Sequence, residues 1–97
     1  MKNTKPKLTV YILQPSKREG VDYELIEESS GALVEVYDSS ILGFAWTKAE
    51  ALSEAKMLLH GFAKHGQPCE LRIRKRDGTF GLGRTYPRGA DPRRSKG

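Results

Sequence analysis

One amphipathic helix stands in the middle of a chain that otherwise alternates, and it limits the fold more than any other feature. The stretch WTKAEALSEAKMLLHGFAKHGQP, residues 46–68, opens with Thr47 as N-cap and Glu50 three positions on. That is a capping box, in which each side chain takes a free backbone N–H at the other's position. Trp46 precedes the cap and is placed to fold over Ala51 as a staple. Leu52, Ala55, Leu59 and Phe62, with Ala51 and Leu58 beside them, form one apolar stripe at helical spacing. Gly66 ends the helix at the C′ position, and Pro68 bars its continuation. The spacing therefore predicts a helix from about Lys48 to about His65. Gly61 in its last turns weakens it, and a close approach of helix to sheet would explain the glycine.

The segments on either side read as strands. LTVYILQ, residues 8–14, is rich in β-branched and aromatic residues. VDYELIEES sets Val21, Tyr23 and Leu25 against Asp22 and Glu24, a half-buried strand with an acidic outer face. ALVEVYDS places Val34 and Val36 on one face, and Leu33, Glu35 and Tyr37 on the other. The order β-β-β-α-β-β predicts an α+β domain: one antiparallel-rich sheet with one helix packed on one face. Residues 1–87 form that single domain. Residues 88–97, RGADPRRSKG, read as a basic, loosely ordered tail. The sheet's second face is left for water or a partner, and carries Thr9, Tyr11 and Leu13 or their alternates.

The last two strands form a hairpin, ELRIRKRDGTFGLGRTYP, residues 70–87. Asp77-Gly78 is the signal for a two-residue type I′ turn. With Arg76 paired to Thr79, Cys69, Leu71, Ile73, Phe80, Leu82 and Tyr86 share the face toward the helix. Arg72, Arg74 and Arg76 share the other, with Gly81 opposite Arg74 and Gly83 opposite Arg72. Arginines on one strand face recur every ~6.6 Å, comparable to the spacing of phosphates along an extended nucleic-acid strand.

The 97 residues carry a net charge of +5, with 30% charged and 37% hydrophobic residues. The charge is in blocks. Residues 1–18 hold five bases and no acid, residues 19–38 seven acids and no base, and residues 64–97 ten bases and three acids. A basic block favours an anionic partner. Pairing between acidic and basic strands would cancel it. The opening MKNTKPKLTV has no apolar signal segment, and no apolar run is long enough for a membrane helix. A single cysteine forms no internal disulfide, which fits a reducing cytoplasm.

The helix start, the alternating strand, the Asp-Gly turn and the strand end are together similar to the bacterial domain-of-unknown-function family 2188. The residues that carry this are Thr47, Glu50, Ala51, Asp77, Gly78 and Tyr86, with Pro87 where that family often has glycine. The resemblance covers about half of the chain. It implies the same α+β fold for that half and no established activity.

Catalytic and cofactor chemistries find little support. Gly81-Leu82-Gly83 lies in a strand with no helix after it, so it is not a phosphate loop. His60 and His65 differ by five positions, which points them to different helix faces, and Cys69 shares parity with Leu71 and Ile73. No metal site follows. Asp22 and Glu24 lack the burial that separates the pKa values of an acid/base pair. The chain reads as a non-catalytic binding module without cofactor, membrane partner or evident small-molecule substrate. Its first reading is weak, sequence-independent nucleic-acid binding through Arg72, Arg74 and Arg76, extended by Arg84, Arg88, Arg93 and Arg94. Tyr11 and Tyr37 would stack bases if they share that face. Lys48 and Lys56, on the helix side, are expected to matter little. The alternative is a protein-interaction or self-associating dimer module using the open sheet face or an edge. Strand order decides whether the acidic strands neutralise the arginines.

Overall fold

The computed structural model describes residues 8–87, of which Ile41, Leu42 and Leu82 are described by backbone alone. The proposed tail, with Arg88, Arg93 and Arg94, lies outside the described residues. Five strands, β1 (Thr9–Pro15), β2 (Val21–Glu27), β3 (Leu33–Asp38), β4 (Cys69–Arg74) and β5 (Phe80–Tyr86), form one sheet in the order β3-β2-β1-β4-β5. A one-turn helix α1 (Ser39–Leu42) and the long helix α2 (Lys48–Lys64) join β3 to β4. All pairings are antiparallel except β1 with β4, which run parallel. β3, β1 and β4 therefore point the same way, and the chain crosses β2 and β1 to reach β4. The α2 crossover covers one face of the sheet, the α+β arrangement expected from the element order.

The α2 ends are built as the sequence implies. Thr47 Oγ1 accepts from the Glu50 N–H at 3.1 Å, and Glu50 Oε1 accepts from the Thr47 N–H at 2.9 Å. Gly66, at φ 101°, donates to the Ala63 carbonyl, and Gln67 donates to that of Phe62. Those two bonds are a Schellman closure. The buried row of the helix is Ala51, Ala55, Leu59 and Ala63, while Leu52, Leu58 and Phe62 flank it half-buried. Small side chains in the central row bring the helix close to the sheet. Gly61 has no part in that approach, because a Cβ there would meet nothing within 4 Å. Each strand adds to the core beneath the helix: Tyr11 and Leu13, Leu25, Tyr37, Cys69 and Leu71, and Tyr86. Trp46 packs its ring edge-on to Tyr37, centroids 5.2 Å apart.

Three strands depart from regular pairing: β2 holds an extra residue, Asp22, between Val21 opposite Asp38 and Tyr23 opposite Tyr37, and β3 and β5 are irregular as well. In β3, Glu35 pairs with Leu25 but Leu33 pairs with Ile26, so Val34 is an extra residue. Val34 packs on the core beside Tyr37 and Leu33 is exposed, so Leu33 and Tyr37 do not share a face as the alternation implied. The hairpin differs in the same way. Lys75 N–H donates to the Thr79 carbonyl at 2.7 Å, and Gly78 N–H to the Lys75 carbonyl at 2.9 Å. The loop is therefore Arg76-Asp77-Gly78, with Gly78 at φ 91° and Asp77 at negative φ. This is the three-residue hairpin loop closed by a left-handed glycine, not the two-residue type I′ turn. Asp77 Oδ1 fixes it by accepting from the Thr79 N–H and hydroxyl, which holds the Asp77 carboxyl below its ordinary pKa.

The longer loop shifts the register by one residue. Arg74 now faces Phe80 and Ile73 faces Gly81, while Leu71 still faces Arg84. The extra residue is absorbed between Gly81 and Arg84. Gly83 sits in this irregularity, where a Cβ would run into the Leu71 carbonyl. Phe80 consequently leaves the helix-facing side for the open face, 48% exposed.

Candidate nucleic-acid interface

Side chains alternate across each strand, so the core residue Leu71 and the half-buried Ile73 on its face fix Arg72 and Arg74 on the open face. Arg76 belongs to the hairpin loop, beyond the strand end. Arg84, opposite Leu71, lies on the helix side with its guanidinium 5.4 Å from the Tyr86 ring centroid. The structure thus divides the expected arginine row among a sheet face, a loop and the far side of β5. Tyr11 and Tyr37 are not stacking surfaces, since both are core residues, 5% and 4% exposed. The aromatic ring that does accompany the arginines is Phe80, with the Arg74 guanidinium 5.1 Å from its centroid. An exposed ring under a guanidinium is a surface on which a base can stack.

Strand order answers the question of neutralisation, one arginine at a time. Arg72 Nε donates to Glu70 at 2.6 Å, and its Nη1 reaches across β1 to Glu28 at 3.2 Å. The Glu70 bond pushes the Arg72 pKa up from its ordinary value. This pair spans the strand that carries Ile12, which is 2% exposed although it lies outside the main core. Arg72 is therefore part of the sheet's own cover. Glu24 is turned to Arg18, at 3.3 Å, and to Gln14 and Ser16. Glu35 accepts from the backbone N–H of Val36. Among the described residues, Arg74, Lys75, Arg76 and Arg84 take part in no ion pair.

Three of these, Arg74, Lys75 and Arg76, gather at one end of the sheet. The parallel pairing places the exits of β1 and β4 side by side, so the turn after β1 lies next to the hairpin loop. Between them is a recess of about 680 Å³ lined by Lys17, Arg18, Arg74, Lys75 and Arg76, with Glu24 the one acid. Arg74 Nε and Gln14 Oε1, both on this wall, are buried with no hydrogen-bond partner. Buried polar groups are nearly always paired, so an unpaired guanidinium nitrogen beside a cationic recess is an unused donor. Lys17 and Arg18 were not among the expected site residues, because the parallel contact that brings them beside β4 joins segments almost sixty residues apart and no local pattern encodes it. Phe80 was placed on the helix face by the expected hairpin register.

Other reactive side chains are quiet. Cys69 donates to the Leu59 carbonyl at 3.3 Å, and burial pushes its thiol up to about 11. His60 packs near Tyr86, and His65 caps α2. Among the described residues there is no cluster of three or more His, Cys, Asp or Glu side chains suited to a metal, and no helix long and apolar enough to cross a membrane. No family model, no curated protein and no solved structure matches the chain.

Proposed function

We propose that this domain is a non-catalytic module that binds single-stranded nucleic acid weakly and without sequence preference. The binding end is the one shared by β1, β4 and the β4–β5 hairpin. The observation that carries the reading is the recess of Lys17, Arg18, Arg74, Lys75 and Arg76, with the Arg74 donor unpaired and Glu24 occupied by Arg18. Phosphates supply the affinity of such an interface, and base stacking on Phe80 adds to it without reading sequence. Arg72 contributes little here, because Glu70 and Glu28 already hold it. Self-association through a sheet edge is the weaker reading: β3 and β5 are both edges, and each carries a register irregularity that opposes edge-to-edge pairing.

Fluorescence anisotropy with labelled oligothymidylate tests the proposal. Binding is expected at low salt, with log affinity falling by about 0.7 per log salt for each phosphate neutralised. Arg74→Glu with Arg76→Glu should abolish it, and Arg72→Gln should change it little. Absence of binding at low salt, or unchanged binding by the double variant, overturns the proposal.

A further inference from the structure

On the helix side of the sheet, a groove of about 550 Å³ runs between α2 and the glycine-bearing part of β5. Its cations are Lys48, Lys56, Lys75 and Arg84, and no acid lines it. Lys48, Leu52 and Lys56 are spaced i, i+4, i+8, so they stand in one row along α2. That row spans ~12 Å of helix axis. Gly81 keeps the opposite wall low: a Cβ there would come within 3.5 Å of Lys75 Cε. The groove is also joined to the cationic recess. A smaller hollow at the strand ends is lined by Lys48, Arg74, Lys75 and Arg76 together, and Lys75 borders all three spaces. One band of positive charge thus turns from the sheet end onto the helix side.

We infer that this groove is a second phosphate-binding stretch for the same single strand, which passes from the sheet-end recess round Lys75 and Lys48 and ends at Arg84. The inference rests on the proposed function and adds the strand's path. It reverses the expectation that Lys48 and Lys56 are bystanders, because their row faces the hairpin across the groove. The occupant is an anionic, unbranched chain: the groove has cations on both walls and no carboxylate, and it is continuous with a site for the same chemistry. It also assigns a role to Gly81, since a side chain there would fill the groove floor.

The test compares oligothymidylates of about six and about fifteen nucleotides, lengths within the range of single-strand sites on small domains. The parent protein should bind the longer one more tightly by a factor beyond the statistical gain in registers. Lys48→Gln with Lys56→Gln should remove that extra factor and lower the salt slope for the longer strand by about 1.4, two phosphates at 0.7 each. The six-nucleotide affinity should stay unchanged. Gly81→Leu should act like the lysine pair, with folding checked by its unfolding midpoint. If the parent binds both lengths and the lysine variant keeps the same length dependence and slope, the groove is not on the path, while the sheet-end site stands. If the parent binds neither length, both readings fall together.

Discussion

Gly83 and Gly81 look alike in the sequence and do different work. A Cβ on Gly83 collides with the backbone carbonyl of Leu71, which cannot swing aside as a side-chain tip would. Gly83→Ala should therefore cost about 1–3 kcal/mol, the usual range for overpacking. Gly81→Ala meets only ordinary contacts with Lys75 and Ile73 and should stay within about 0.5 kcal/mol of the parent. Denaturant unfolding of the two variants checks this, and equal midpoints would contradict the hairpin register. Buried acids give a second measurable signature. Burial pushes Cys69 up to about 11 and Tyr37 up to about 12, and raises Tyr11 and Tyr86 as well. A raised native pKa means the folded state binds the proton more tightly. The resulting stability is complete below the unfolded pKa and is lost as pH climbs toward the native one. The unfolding midpoint should thus be flat from neutral pH to about pH 8 and fall as pH passes the ordinary thiol value of about 9. In a Cys69→Ala variant the fall should begin about one unit later, with the tyrosines.

The α2 helix and the β4–β5 hairpin mark the limits of what local sequence encodes. The helix was legible to within a residue at both ends, because the capping box and Gly66 act through bonds that span only a few positions. Its buried row was less legible. A leucine stripe and an alanine stripe lie side by side, and the sheet selects Ala51, Ala55 and Ala63 to admit a close approach. Leu59 is the one large residue of that row, so Leu59→Ala should cost about 2–5 kcal/mol; a variant with the parent's thermal midpoint would place the core elsewhere. In the hairpin, Asp77-Gly78 located the turn and left its length open, since the same doublet closes loops of either kind. Because alternation has a period of two, the one-residue difference moved Phe80 across the sheet. That error concealed the aromatic partner of Arg74.

The sheet order β3-β2-β1-β4-β5 turns blocks of charge into a gradient across the molecule. The acidic β2 and the arginine-bearing β4 are separated by β1. Only Glu28 among the acids of residues 19–38 reaches a β4 arginine in the described structure. Composition alone could not reveal this, because neutralisation depends on which strands are neighbours. The separation leaves a cationic end and an acidic edge on one small sheet, and association with an anionic chain should be steered to the former. Backbone amide chemical shifts, followed while unlabelled oligothymidylate is added at low salt, test this placement directly. Saturable shifts are expected at Lys17, Arg18 and residues 74–78, extending to Phe80, with β3 and α1 unmoved. Shifts centred on β3, or no shifts at all, would contradict it.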